Sequence, residues 1–392
     1  MLPVATTKEE RIAVRVWGAA VEGISCELEP LHGTEHDVHR GDRRGGDCGD
    51  GALGVDERAA WEDSRAAQSA VGDHLAVKVQ LASPYRETLM KHLLTVERLG
   101  TAEITAILDL AEELKANRGK EVNDLPLKNQ HWALIFNKAS TRTRVSFEVG
   151  IRELGGSSLY LSSSDIQMGR GETVADTART LSRYVHGVVI RTYAQRDVEV
   201  FSQVGSIPVI NALTDEEHPC QILGDLLTVR EKLGDLTGKK IVFLGDGACN
   251  VCNSWLFGAA RVGMEIWVAA PGRFQPRAEI VKRVGGDIHV SEDVSEAVKD
   301  ADVLYTDVWV SMGKEAEAAE RLKILAPYQL DAAVLRLARR NVLVMHCLPA
   351  YVGKEISAEV FEAHQQTIFD QAENRLHAQK AILTVLAGAW CT

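Results

Sequence analysis

The sequence contains no apolar run that approaches the ~18 residues of a membrane-spanning helix. It is also short of positive charge, because 44 Lys and Arg stand against 55 Asp and Glu, for a formal net charge of -11. Nucleic-acid binding needs a basic face, so this balance excludes a general nucleic-acid binder. The first residues lack the basic and then apolar layout of a secretory signal, and we expect a cytoplasmic protein.

Cysteine is scarce, with 7 residues scattered among 392. An odd number at irregular spacing does not form a disulfide framework, which favours a reducing compartment. Cys249 and Cys252 make a single CxxC with no second pair at zinc-site spacing. We therefore expect two small thiols that pack a helix, and no metal site.

Residues 1–89 differ in character from the rest of the chain. They hold a tract rich in Gly, Asp and Arg over 39–54 and little periodicity, which predicts a poorly ordered extension. Acidic residues outnumber basic ones there, unlike in an organelle transit peptide. The simplest interpretation is a mis-assigned upstream start, with Met90 as the true first residue; a real but dispensable extension is the alternative.

Strands and helices alternate from Met90 onward, which is typical of an α/β protein with two doubly wound parallel sheets. We place the joint at 234–238 and predict domains at 90–235 and 236–392. The predicted strands are 132–136, 159–161, 188–190, 207–210, 240–244, 265–268, 303–305 and 342–345. The main predicted helices are about 102–116, 142–153, 173–184, 218–232 and 372–388, the last returning to the first domain.

Five polar clusters follow predicted strands, at the sheet edge where such folds bind ligands. They are Ser140–Arg144, Arg191, His218–Gln221, Asp307–Gly313 and His346–Ala350. The first places three hydroxyls and two guanidiniums on a strand-to-helix turn, where free N–H groups and the helix dipole attract an anion. Plain helix capping with solvated arginines is the alternative for such turns, and a buried inert thiol is the alternative for Cys347.

The predicted strand at 240–244 is followed by Gly245–Gly247, which begins like a dinucleotide fingerprint. The next glycine of that fingerprint is replaced by Asn250, and no acidic ribose partner stands at the end of the following strand. The turn therefore does not favour NAD binding.

In their order along the chain, the clusters resemble the aspartate/ornithine carbamoyltransferase family over about residues 90–392. In that family the STRTR turn, here 140–144, binds the phosphate of carbamoyl phosphate. The DxxxSMG motif at 307–313 and the HCLP motif at 346–349 resemble the ornithine branch rather than the aspartate branch. Five modest motifs in the family's order make the resemblance specific.

The resemblance implies roles for individual residues. It assigns carbamoyl phosphate binding to Ser140, Thr141, Arg142, Thr143, Gln167, Arg191, His218, Pro219, Cys220, Gln221, Cys347, Leu348 and Arg375. It assigns ornithine binding to Asn250, Asp307, Ser311 and Met312. The implied catalytic residues are Arg142, Arg191, His218, Asp307 and Cys347. Gln167 matches a position that reaches into a neighbouring subunit's site.

The implied activity is transfer of the carbamoyl group of carbamoyl phosphate to the δ-amine of L-ornithine, giving citrulline and phosphate, as a step of arginine metabolism. No metal or organic cofactor is implied. The expected assembly is a homotrimer or a multiple of trimers. Two alternatives are open: another amine such as putrescine, against which the 307–312 loop argues, and an idle member that only binds metabolites, against which the intact motifs argue.

Overall fold

The computed structural model describes residues 90–120, 125–162, 164, 166–168, 171–311 and 315–388. The predicted extension at 1–89 lies outside the described residues, and so does Met312. No helix within the described ranges is both long and apolar enough to cross a membrane.

Helices and strands alternate along most of the described chain. The first half contains α1 (Thr101–Ala116), β1 (His131–Phe136), α2 (Thr141–Glu153), β2 (Ser157–Ser162), α3 (Val174–Leu181), β3 (Gly187–Arg191), α4 (Gln195–Val204), β4 (Val209–Leu213) and α5 (Pro219–Leu233). The second half contains β5 (Lys240–Leu244), α6 (Asn250–Arg261), β6 (Glu265–Ala269), α7 (Ala278–Val284), β7 (Ile288–Ser291), α8 (Val294–Val298), β8 (Val303–Thr306), α9 (Ala318–Leu325), α10 (Ala332–Leu335), β9 (Leu343–His346) and α11 (Ala358–Gly388). Short 3-10 helices span Gly272–Phe274, Glu315–Glu317 and Ala326–Tyr328.

The strands form two sheets in which every pairing is parallel. The first has the order β2-β1-β3-β4, and the second has the order β7-β6-β5-β8-β9. The predicted fold class, two doubly wound parallel sheets, is therefore confirmed. In both sheets the chain order reverses next to the first strand, which opens a crevice beyond the carboxyl ends of the strands.

The first strand of each sheet, β1 and β5, is buried on both faces. In β1, Trp132 and Leu134 pack toward the layer of helices between the sheets, whereas Ala133 and Ile135 pack on the opposite face. The interior layer includes α5, α6 and α11, and α5 approaches α6 closely at Gly258. A Cβ at Gly258 would lie 2.7 Å from Ile222, so a larger side chain would separate these helices.

Three of the differences from the predicted elements have a physical reason in the structure. The edge strand β7 was not predicted, because it is short and only half buried and so carries no continuous apolar run. The fourth strand begins at Val209 rather than at 207, because Pro208 has no N–H to pair, and it continues through the buried polar Asn211. The last helix begins at Ala358, since its first four turns bury too few apolar residues to produce a pattern.

Candidate active site

A cavity of about 710 Å³ lies at the carboxyl ends of strands from both sheets. The first half of the chain lines it with Ser140, Thr141, Arg142, Thr143, Arg191, His218 and Gln221. The second half lines it with Asn250, Asp307, Ser311, Cys347, Leu348 and Arg375. Residues that are up to 235 positions apart in the predicted list, from Ser140 to Arg375, thus share one cavity.

The STRTR turn forms the N-terminus of α2. Ser140 is the N-cap, and its Oγ accepts a hydrogen bond from the N–H of Thr143 at 3.3 Å. The helix therefore begins at the cavity wall, where its dipole and free N–H groups favour an anion. Arg144 does not line the cavity; it is exposed, pairs with Glu148 at 2.9 Å and lies over the Tyr160 ring.

Three guanidiniums form what we call the arginine cluster: Arg142, Arg191 and Arg375. Arg375, on α11, donates to Gln221 Oε1 at 2.5 Å and to Thr143 Oγ1 at 3.2 Å. Burial, together with Arg375 and Arg142, lowers the pKa of Arg191 to about 10, which leaves it charged at neutral pH. The Nε atoms of Arg191 and Arg375 have no hydrogen-bond partner among the described residues. A cluster of mutually repelling, incompletely bonded guanidiniums is suited to bind an oxyanion such as phosphate.

His218 lies at the N-cap of α5, directly before Pro219 in the first helical turn. Its backbone N–H donates to Ser254 Oγ at 2.8 Å, which ties the turn to α6. Burial, followed by the charges of Arg375, Arg191 and Arg142, holds the pKa of its imidazole well below the usual value. The ring is therefore uncharged at neutral pH, and its Nδ1 has no partner in the described part of the chain.

Asp307 and Cys347 follow the neighbouring strands β8 and β9 and form what we call the thiol–carboxylate pair. The Cys347 Sγ donates to Asp307 Oδ1 at 2.8 Å. Burial, and then the charge of Asp307, raises the pKa of Cys347 well above its usual value. Burial also raises the pKa of Asp307. Cys347 is therefore a neutral thiol in this cavity and not a free thiolate.

Asn250 is the first residue of α6, and its Nδ2 donates to the carbonyl oxygen of Thr214 at 2.6 Å. One turn later, Asn253 donates to the carbonyl oxygen of Glu216 at 3.0 Å. With Ser254, these side chains hold the loop that precedes His218. A substrate bound at Asn250 would have to replace or share its contact with Thr214.

Four predicted site residues lie elsewhere or are not described. Gln167 is exposed and does not line the cavity. The Cys220 side chain is buried in the core, where burial raises its pKa to about 12, so it is an unreactive thiol. Pro219 starts α5 without lining the cavity, and Met312 lies outside the described residues.

His346, predicted to follow a strand, is instead the last residue of β9, and its side chain is buried. Its Nδ1 accepts from the N–H of Leu348 at 2.8 Å, and its Nε2 lies 3.2 Å from Glu355 Oε1. Because Nδ1 accepts, Nε2 carries the hydrogen and donates to Glu355. The His346 side chain thus fixes the backbone around Cys347.

The cavity wall contains functional candidates that the sequence patterns did not single out. Lys138 is buried against Asp215 and lies 4.2 Å from the centre of the Tyr193 ring. Asp246 pairs with the buried Arg321. Only the position of Lys138 next to the STRTR turn, and that of Asp246 after a strand, marked them in the sequence.

Arg321 also fixes the loop that follows β8. Its Nε donates to the carbonyl oxygen of Trp309 at 2.6 Å, and its Nη2 donates to Asp246 Oδ2. The loop that carries Asp307 and Ser311 is therefore fastened to the turn after β5.

Cys249 and Cys252 are free, buried thiols at the start of α6, as predicted for helix packing. Cys249 is the N-cap, and its Sγ accepts from the N–H of Cys252 at 3.4 Å. Among the described residues, no three His, Cys, Asp or Glu side chains lie close enough together to hold a metal ion.

Glu217, next to His218, gives the fold a measurable dependence on pH. Its buried Oε2 accepts from the Val96 N–H at 2.8 Å and from the Ser254 hydroxyl at 3.0 Å. Burial nevertheless raises its pKa from 4.5 to about 7. Because the folded protein holds this proton more tightly than the unfolded chain, stability falls as the pH rises from 4.5 through about 7.

We expect the ionisation of Glu217 to lower the free energy of unfolding by about 1–3 kcal/mol between pH 5 and pH 8, because a charge is generated in a buried site. Glu217→Gln should remove most of that loss in urea unfolding measured at both pH values. The exposed neighbour provides the control, because Glu216→Gln should keep the wild-type pH dependence. Equal pH dependence in all three proteins would contradict the burial effect.

Comparison with known proteins places this geometry in a family. Residues 91–231 match the model of the aspartate/ornithine carbamoyltransferase carbamoyl-P binding domain, and residues 237–386 match the Asp/Orn binding domain. The ornithine carbamoyltransferase of Methanosphaera stadtmanae is 52% identical over 301 residues, which cover 75% of this chain and 98% of that protein. That of Archaeoglobus fulgidus is 50% identical over 302 residues, covering 76% and 98%.

Solved structures agree with the sequence matches. Ornithine carbamoyltransferase from Pyrococcus furiosus superimposes with a TM-score of 0.73 at 43% identity, over 76% of this chain and 97% of that chain. The anabolic ornithine carbamoyltransferase from Campylobacter jejuni gives a TM-score of 0.71 at 40% identity, over 76% and 99%. Together with the two matched domains, this similarity shows that the chain belongs to the aspartate/ornithine carbamoyltransferase family.

Proposed function

We propose that this protein is an ornithine carbamoyltransferase, which transfers the carbamoyl group of carbamoyl phosphate to the δ-amine of L-ornithine. The observation that carries the proposal is that one cavity holds both the arginine cluster and the thiol–carboxylate pair. The first group suits a phosphate, and the second suits an amine. The names of the similar proteins support the same substrates.

On the carbamoyl phosphate side, the STRTR turn and the arginine cluster hold the phosphate. Attack of the amine places negative charge on the former carbonyl oxygen, and fixed donors stabilise it without reorganisation. We assign this role to Thr143, Arg191 and the uncharged His218. Because His218 is neutral, it acts as a hydrogen-bond donor and adds no further positive charge to the cavity.

On the amine side, we assign Asp307 to the α-ammonium of ornithine, and Asn250 and Ser311 to its α-carboxylate. The thiol of Cys347 orients the δ-nitrogen, because its raised pKa keeps it protonated and makes it a poor base at neutral pH. Attack forms the C–N bond, collapse of the intermediate breaks the C–O bond to phosphate, and the surplus proton of the nitrogen leaves with the phosphate.

Holding two small substrates face to face supplies much of the expected acceleration. We propose that the two halves, 90–235 and 236–392, act as the carbamoyl phosphate and ornithine domains, and that they close about 234–238 around the substrates. We further propose a cytoplasmic homotrimer in which Gln167 reaches a neighbouring subunit's cavity; its exposure away from this chain's own cavity supports that role, and light scattering measures the mass.

The proposed function is tested by incubating the purified protein with carbamoyl phosphate and one amine at a time. We expect citrulline and phosphate in equal amounts with L-ornithine, and no carbamoylated product with putrescine, which lacks the α-carboxylate. At subsaturating ornithine, the rate should rise about tenfold per unit between pH 7 and pH 9, because only the uncharged amine attacks and a lysine-like amine titrates near pH 10.4. Faster carbamoylation of putrescine would overturn the choice of ornithine.

A further inference from the structure

Behind the cavity wall lies a buried carboxylate that the proposed mechanism does not use. Asp225, on α5, is fully buried and does not line the cavity. Its Oδ1 accepts from the side-chain amides of Gln221 and Gln371, both at 2.7 Å. Its Oδ2 accepts from the hydroxyl of Tyr305 at 2.9 Å. One carboxylate therefore joins α5 with β8 and α11.

The two amides that Asp225 binds also hold the cavity wall. An ionised carboxylate only accepts hydrogen bonds, so both glutamines must turn their NH₂ groups toward it and their oxygens away. The Gln221 oxygen then accepts from Arg375 Nη1 at 2.5 Å. The Gln371 oxygen accepts from the backbone N–H of His346 at 2.9 Å, directly before Cys347.

We propose that Asp225 is a positioning residue for carbamoyl transfer: its acceptor oxygen orients Gln221 to hold the guanidinium of Arg375, and orients Gln371 to hold the backbone next to Cys347. This inference rests on the proposed function and deepens it. A flipped Gln221 amide would turn its NH₂ group toward the guanidinium, where two donors face each other and no hydrogen bond forms. One buried group thereby sets both the phosphate and the amine side of the cavity.

The electrostatics of the network agree with this role. Burial raises the pKa of Asp225 to about 6, and the three hydrogen bonds and the charge of Arg375 oppose that rise. Asp225 is therefore ionised at neutral pH. The titratable groups that face it are Tyr305 from β8 and Arg375 from α11, and the thiol of Cys347 after β9 also senses its charge.

The first experiment measures binding of phosphonoacetamide, the methylene analogue of carbamoyl phosphate, by calorimetry without ornithine. Asp225→Leu removes both acceptors, and we expect Kd to rise at least tenfold. Asp225→Asn keeps one acceptor oxygen for both amides, and we expect Kd within threefold of wild type. Rescue by asparagine separates amide orientation from the charge, and a Kd within twofold of wild type for Asp225→Leu would overturn the proposal.

A matched control lies one turn further along the interface of α5 with α11. Thr228 is buried and accepts from Asn374 at 3.0 Å, and its hydroxyl donates to the carbonyl oxygen of Gly224 rather than to the network of Asp225. Thr228→Val therefore removes a hydrogen bond between the same two helices, and we expect its Kd for phosphonoacetamide to stay within twofold of wild type. Equal weakening in Thr228→Val and Asp225→Leu would reduce Asp225 to a structural residue and overturn the proposal.

A second variant tests the contact of Gln371 with the backbone next to Cys347, and it keeps the proposal testable if Asp225→Leu does not fold. Gln371→Met removes the contact with His346 but leaves Asp225, Gln221 and Arg375 linked. We expect KM for ornithine to rise at least fivefold, with the Kd for phosphonoacetamide within twofold of wild type. An unchanged KM, or an equal loss in both measurements, would contradict the assignment of Gln371 to the amine side of the cavity and Gln221 to the phosphate side.

These measurements are distinguishable from a failure of the proposed function. If the wild-type protein binds phosphonoacetamide but forms no citrulline, the function is wrong, and the binding series still decides the role of Asp225. If citrulline forms and all variants bind phosphonoacetamide with the wild-type Kd, the proposed function is supported and the positioning role of Asp225 is wrong.

Discussion

Arg142→Ala should lower kcat/KM for carbamoyl phosphate by about 100- to 1,000-fold. Arg142 belongs to the turn at the N-terminus of α2 and lines the cavity together with Arg191 and Arg375. In the proposed mechanism its guanidinium holds the phosphate as the C–O bond breaks, and loss of one preorganised donor to a developing charge costs about 3–4 kcal/mol. Steady-state citrulline assays at saturating ornithine measure the effect.

The melting temperature of the Arg142→Ala variant should barely change. The charge of Arg142 lowers the pKa of Arg191, so its removal relieves repulsion within the arginine cluster. Arg152, exposed near the end of the same helix, provides a matched control, and Arg152→Ala should retain wild-type kinetics. Near-normal turnover of Arg142→Ala would remove it from the phosphate site.

Asp307→Asn should raise KM for ornithine by about 10- to 100-fold while leaving carbamoyl phosphate binding within twofold of wild type. The proposed contact of Asp307 is to the α-ammonium of ornithine, and a charge-assisted hydrogen bond is worth about 1.5–3 kcal/mol. The substitution keeps the shape of the side chain, so Cys347 stays in place after β9. A change confined to one substrate is the signature of a lost substrate contact.

A truncated substrate sharpens this test. 5-Aminopentanoate has the reacting amine and the carboxylate but lacks the α-ammonium. Wild type and Asp307→Asn should therefore use it with similar kcat/KM, although they differ with ornithine. If Asp307→Asn instead loses carbamoyl phosphate affinity, or discriminates equally against both amines, Asp307 has been placed on the wrong substrate.

The strands that carry the site were visible in the sequence because they are buried on both faces. The runs at 132–136, 188–190 and 240–244 contain almost only apolar residues. The ends of these strands, and the polar clusters that follow them, could therefore be identified. Two segments with few buried apolar residues, β7 and the first turns of α11, gave no such pattern. β7 is half exposed, and the first turns of α11 bury only Val360, Ile368 and Gln371.

Most of the residues that line the cavity were predicted by type and place, but their protonation states were not. That His218 is uncharged follows from burial next to three arginines, all of which lie on other elements. That Cys347 is a thiol follows from its burial and then from its contact with Asp307, which follows the neighbouring strand. Cys220 stands in the same motif as His218, yet the turn of α5 directs its side chain into the core.

By itself, the sequence determined two parallel α/β sheets and the polar clusters at their carboxyl ends, because strand burial and helix starts are local patterns. Only the tertiary structure decided which distant groups meet. Arg375 reaches Gln221 and Thr143 because α11 crosses back to pack on α1, α2 and α5. Asp225 binds Gln371 for the same reason and also binds Tyr305 on β8, since hydrogen-bond partners and desolvation depend on packing between elements and leave no periodic signal along the chain.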